Sequence, residues 1–261
     1  MNKPDEAQWG KVPEVTLWFW IIKIAATTLG ETGGDAVTMS MNLGYFVGTA
    51  IFASLFVVAV AAQIRARRYQ SFLFWAVIVA TTTAGTTLAD LLDRSLGIGY
   101  LGGTTILFAA LLGTLYVWHR SLGSVSVSNI ASPKAEFFYW ATVMFSQTLG
   151  TALGDWIADD KTGLGLGYGG GAIVFGIALA IVAAAYLWTG ISHVVLFWAA
   201  FILTRPLGAT VGDFLDKPHA NGGMELSRYW ASAVLAVFIV ACILALPQRA
   251  ERRQVPASGQ T

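Results

Sequence analysis

The chain is poor in the residues that soft-metal and redox chemistry need: one cysteine, Cys242, and three histidines in 261 residues. A lone thiol closes no intramolecular disulfide and leaves the redox compartment unread. His119, His193 and His219 follow no common spacing, so haem or zinc ligation is not expected. Charge is scarce as well, at 12% Asp, Glu, Lys and Arg with a formal net charge of +1, which gives no reason to expect a nucleic-acid partner. No nucleophile–base pair and no HExxH spacing appears, so the chain does not read as an enzyme. "GLGLGYGGG" (163–171) holds a GxG pattern, but it opens an apolar run with no strand before it. A dinucleotide site, and any cofactor beyond a bound cation, is therefore not expected.

What the chain has instead is apolar length. It is 56% hydrophobic, with a mean hydropathy of +0.63. Eight apolar stretches run over about 15–36, 43–62, 72–92, 100–118, 136–156, 168–188, 192–213 and 229–246. Each is close to the roughly 20 residues that carry a helix across about 30 Å of hydrocarbon. Barrel strands would be shorter and would alternate. The expected fold is an all-α polytopic membrane protein of eight spans, with the lipid bilayer as its surroundings. Residues 1–14 show no short apolar core before a small-residue cleavage site, so the first span is expected to be retained. Ten basic residues fall at one end: Lys3, Lys11, Arg65, Arg67, Arg68, Arg120, Lys134, Arg249, Arg252 and Arg253. Arg94, Lys161, Lys217 and Arg228 fall in the opposite loops. The positive-inside rule then places both termini in the cytoplasm, with the basic tail "QRAERRQ" resting on anionic headgroups. The sequence sets no oligomeric state.

The chain repeats itself four times. Trp20, Trp75, Trp140 and Trp198 each precede a glycine by ten residues, namely Gly30, Gly85, Gly150 and Gly208. Each glycine precedes an aspartate by five: Asp35, Asp90, Asp155 and Asp213. With two spans per unit, over about 15–62, 72–118, 136–188 and 192–246, every copy enters from the same side. The four aspartates therefore share one depth, roughly 22 Å along the helix from the tryptophans. The clusters "LWFW", "FLFW", "FFYW" and "LFW" are expected to form an interfacial aromatic belt at the inner surface.

This pattern resembles a family of bacterial inner-membrane proteins built from four tandem copies of a "repeat of unknown function". Each copy there has two spans and a characteristic tryptophan. The resemblance covers the chain from about Trp18 to the end of the eighth span and rests on the four tryptophans and four G-x4-D segments. It implies the architecture and an inner-membrane location, and brings no activity with it.

Two faces of each motif helix carry meaning. Small residues at Gly30/Gly34, Gly85/Ala89, Gly150/Gly154 and Gly208/Gly212 have the spacing that lets helix backbones approach closely. The aspartates, read back by four and seven residues, align with Glu31 and Thr28, Thr86 and Thr83, Thr151 and Thr148, and Ala209 and Pro206. Hydroxyl and carboxylate oxygens suit a hard cation. An aspartate in a span costs about 2.5–3.5 kcal/mol on insertion scales, which is much to bear four times for capping alone. Lys23 and Arg205 are expected as internal counter-charges, each paired with a carboxylate across the bundle. Five acids against these two bases would leave three negative charges in surplus. Pro206 is expected to kink its helix and free a carbonyl, and Asp93 and Asp159 to draw cations toward the site. The functional expectation is transport of a small cation, the finer version being a divalent ion exchanged for protons. The alternative is a non-transporting scaffold or partner-binding subunit whose polar stripes only hold the bundle together.

Overall fold

The computed structural model describes residues 9–127, 130 and 132–252. Lys3 and Arg253, counted above toward orientation, lie outside the described residues. Eight long helices follow one another: α1 (Leu17–Asp35), α2 (Gly44–Arg65), α3 (Ser71–Asp90), α4 (Gly99–Leu122), α5 (Pro133–Ala158), α6 (Gly167–Trp188), α7 (His193–Asp216) and α8 (Arg228–Ala245). Local chemistry sets several ends. The Thr16 hydroxyl accepts from the Phe19 amide and the Ser132 hydroxyl from the Ala135 amide, with Pro133 opening α5. Gly123, at φ +75°, closes α4 in the left-handed region. Beyond Asp35 and Asp90 the first two motif helices widen into single π-helical turns, Ala36–Ser40 and Leu91–Ser95. The other two motif helices continue to Ala158 and Asp216, and α7 runs unbroken through Pro206.

The four motif helices close into a ring: α1 packs on α3, α3 on α5, α5 on α7 and α7 on α1. The glycines explain the closeness. Each motif glycine meets the residue three places before the next repeat's motif glycine, pairing Gly30 with Thr82, Gly85 with Gln147, Gly150 with Arg205 and Gly208 with Thr27. One turn on, Gly34 meets Thr86, Gly154 meets Ala209 and Gly212 meets Glu31. Contact between helices in lipid comes from such fitting rather than from hydrophobicity. The approach reaches backbone at the α3–α5 and α7–α1 seams. A Cβ on Gly85 would stand 3.0 Å from the Thr148 nitrogen, and one on Gly208 would stand 2.9 Å from the Thr28 nitrogen.

The even helices lie outside the ring, and each packs mainly on the motif helix of the following repeat: α2 on α3, α4 on α5, α6 on α7 and α8 on α1. Small residues again face threonines, the two glycines against their methyl groups. Gly48 meets Thr87, Gly171 meets Thr210, and Ser232 is hydrogen-bonded to Thr32 at 2.8 Å. Their other sides expose large apolar residues, Phe46, Val58, Ile173, Leu187 and Trp230 among them. Six helices (α2, α3, α4, α6, α7 and α8) are long and apolar enough to cross a membrane on their own composition. The other two, α1 and α5, belong to the ring and carry its most polar inward faces. The protein is an all-α membrane protein.

The tryptophans correct the expectation of an interfacial belt. Trp75, Trp140 and Trp198 are buried, and the aromatics form a closed circuit inside the bundle. Phe19 touches Trp75, Phe74 touches Trp140, Tyr139 touches Trp198 and Phe197 touches Trp20, with ring centroids 5.6, 5.8, 6.2 and 5.7 Å apart. Each contact joins one repeat to the next. The aromatic before each tryptophan turns edge-on to it, at 4.8–5.4 Å, and closes the circuit. Replacing Trp75 by alanine should cost about 3–5 kcal/mol. The same change at Trp188, 81% exposed, should leave thermal unfolding in detergent nearly unmoved.

Beneath this circuit two short segments from opposite ends of the described residues meet. β1 (Trp9–Pro13) pairs antiparallel with β2 (Ala250–Arg252), and Gln248 accepts a hydrogen bond from Trp75 Nε1 at 3.2 Å. Lys11 reaches the Ile64 carbonyl and Glu136, at 2.9 and 2.6 Å. Within the described part of the basic tail, Ala250–Arg252 is a strand paired with β1.

Candidate cation site

A helix presents the same side every four residues with slow drift, and the row that matters here steps back from each aspartate by fours. The four rows are Asp35–Glu31–Thr27–Lys23, Asp90–Thr86–Thr82–Ile78, Asp155–Thr151–Gln147–Val143 and Asp213–Ala209–Arg205–Phe201. Their contacts place them around the ring's axis.

Arg205 fills the middle level. Its side chain, 0% exposed, touches all three other motif helices. Nη2 donates to Glu31 Oε2 at 3.0 Å and to the hydroxyls of Thr86 and Thr151. It also reaches the Thr82 carbonyl, and Nη1 the Thr27 carbonyl, each at 3.4 Å. The Thr86 hydroxyl donates in turn to Glu31 Oε2 at 3.2 Å. This polar knot ties four helices across the axis. Gln147, which holds in α5 the place of Arg205 in α7, keeps both amide atoms without a hydrogen-bond partner.

Below the knot lies Lys23. Among the described residues it pairs with no carboxylate. Its ammonium donates to the Thr204 hydroxyl at 3.3 Å and stands 4.0 Å above the centre of the Phe201 ring. A cation over an aromatic face takes the place of the ion pair expected from sequence. Arg205 does find an acid across the bundle, Glu31 of the neighbouring repeat.

Above the knot the four aspartates are paired by two bases that the sequence reading had left in loops. Arg94 bridges Asp90 and Asp155, with Nε and Nη2 each 3.0 Å from a carboxylate oxygen. Lys217 bridges Asp213, at 3.0 Å, and Asp35, to which it is hydrogen-bonded. Arg228 joins Asp216 at 3.0 Å. The bridges cross the α3–α5 and α7–α1 seams, where Gly85 faces the Thr148 backbone and Gly208 that of Thr28. The expected surplus of three negative charges is therefore corrected: Arg94 and Lys217 join Arg205 among the acids. The signal was in the sequence as "DLLDR" and "DFLDK", a base one turn past the aspartate in repeats 2 and 4.

The threonines divide by face. Thr86 and Thr151 point into the knot. Thr28, Thr83 and Thr148, seven before their aspartates, turn aside and donate to the carbonyls of Ile24, Val79 and Met144 on their own helices, at 3.0, 2.8 and 3.0 Å. Of the two acids expected to draw cations inward, Asp159 ties its loop instead. Burial raises its carboxyl, but the amides of Thr162 and Lys161 and the Thr162 hydroxyl outweigh that and hold it below the ordinary range. Asp93 is buried against Gly103, its oxygens without a hydrogen-bond partner.

Among the described residues, one group of acids is placed as metal ligands would be. Single carboxylate oxygens from Glu31, Asp35 and Asp213 lie within 4.8 Å of one another, all buried. Asp35 Oδ1, on a residue with no exposed surface, has no hydrogen-bond partner. Carboxylates in this number suit a hard divalent cation.

No curated protein and no solved structure matches the chain. One family model matches four times in tandem, over residues 18–69, 73–124, 138–192 and 196–252, so that each match spans a motif helix and the outer helix after it. The four matches together cover most of the chain, which belongs to the family described as Repeat of Unknown Function (DUF347).

Proposed function

We propose that the protein is a carrier of a small cation across the bacterial inner membrane, with both termini in the cytoplasm. The ion is a hard divalent one exchanged for protons, and it binds at Glu31, Asp35 and Asp213. One observation carries the reading: three buried carboxylates from two adjoining repeats converge at one end of the ring. Buried acids are expensive in a span, and an ion they hold would offset that cost. The orientation draws support from the bases. Of the four on the acid side, Arg94, Lys217 and Arg228 are bound to aspartates, so Lys161 remains there as a loop charge. The aromatic circuit and the Arg205 knot stand between the acid level and the opposite end, which suits a carrier closed toward the cytoplasm.

The knot also favours a second reading, a non-transporting scaffold, because Arg205 and the bridging bases neutralise most of the acids. Flux decides between the two. Purified protein in liposomes should move Mn²⁺ or Mg²⁺, and Asp35→Asn or Asp213→Asn should lower the rate by about tenfold or more. A wild type that moves no cation in such a screen, with both variants merely losing thermal stability, overturns the carrier reading.

A further inference from the structure

The two base-bearing repeats are built alike but not equally. Lys217 and Arg94 each fold back one turn onto their own motif aspartate and reach across to the next repeat's. In each case the residue just before the base is a buried acid with an oxygen lacking a hydrogen-bond partner: Asp216 Oδ1, and both oxygens of Asp93. The seams differ in their third ligand. Glu31 stands with Asp35 and Asp213, whereas repeat 3 offers Thr151 at the corresponding place.

Charge at the Lys217 seam is uneven. Arg205 is paired with Glu31, and Arg228 with Asp216. That leaves Lys217 as the base in direct contact with both Asp35 and Asp213, Arg228 Nε standing farther off at 3.9 Å from Asp35. A divalent ion in place of the ammonium would balance the pair. The ammonium has somewhere to go, for Asp216 Oδ1 lies 4.0 Å away. The move keeps the ammonium beside a carboxylate, Asp216 then facing Lys217 on Oδ1 and Arg228 on Oδ2, which avoids the heavy cost of an isolated buried ion.

We propose that Lys217 is a tethered occupant of a divalent-cation position between Asp35 and Asp213, and that Asp216 receives its ammonium when the cation enters. This rests on the cation reading above and adds the substrate class and a built-in competitor. The ammonium and the ion need the same oxygens and repel each other, so the lysine weakens binding and returns to expel the ion. A site of three carboxylates with no competitor would hold a divalent ion too well to release it, and carriers must release.

The test is a double-mutant cycle read as Mn²⁺ affinity, by titration calorimetry on the purified chain in detergent. Lys217→Gln should tighten binding by about tenfold or more, the competitor being gone. Asp216→Asn should weaken it several-fold, because the ammonium then has no second seat. In the Lys217→Gln background, Asp216→Asn should change nothing, a non-additivity that only coupled groups show. Equal weakening by Asp216→Asn in both backgrounds would make Asp216 a plain ligand and overturn the proposal, as would weaker binding in Lys217→Gln. Should Lys217→Gln fail to fold, Lys217→Met and the single Asp216→Asn carry the same tests. Wild type binding Mn²⁺ while the cycle fails would leave the carrier reading standing. Absence of binding throughout would end both.

Discussion

Arg205→Met is expected to destabilise the protein by about 3–5 kcal/mol, enough to strip most of it from the membrane fraction. The guanidinium is fully buried and bonded to Glu31, Thr86 and Thr151 on three other helices. Its removal strands the Glu31 carboxylate in a low-dielectric interior, where an unpaired charge costs far more than the pair contributed. The companion change supplies the proof. Arg205→Met with Glu31→Gln removes both charges, so most of the loss should return in thermal unfolding and in abundance. If the double variant is no better than the single, the arginine acts through packing rather than through its partner.

Gly208→Val should be nearly as damaging, at about 3 kcal/mol. The first added carbon would stand 2.9 Å from the Thr28 amide nitrogen and closer still to the Thr27 side chain. Backbone cannot step aside as a flexible side chain can, so α7 and α1 must part and the ring opens at the seam that holds Lys217. Gly176→Val is the matched control. Its Cβ would meet nothing within 4 Å, on an outer helix, and both unfolding temperature and monodispersity in detergent should stay near wild type.

Much of this architecture was legible because helical spacing and repetition survive translation into structure directly. Eight apolar stretches became eight helices, and W-x9-G-x4-D read four times became four equivalent ring helices. The even helices were less legible. Nothing local says that α2 leans on α3 rather than on α1. Phase was the harder matter at the site. Steps of seven and of four from an aspartate both land near one face, yet the axis row is the one in fours. Thr28 thus turned to its own helix, while Thr27 and Gln147 went unremarked. Arg94 and Lys217 were missed because a base just past a span reads as a loop charge until a partner acid is seen one turn back. The tryptophans misled for a physical reason: an aromatic cluster at a helix end has the same composition whether it meets headgroups or its own kind. Lys23 could be placed by depth, but its choice of the Phe201 face over an acid depended on which helix stood opposite.

Outer helices that rest on the repeat ahead of them have a consequence for how the chain comes to be. A hairpin newly delivered to the bilayer lacks the surface its second helix is shaped for, and gains it only when the following pair arrives. The debt passes forward three times and is settled by α8, which lies against α1. The earliest segment made is thus the last to be covered, and no fragment short of the whole circle has all its helices in their seats.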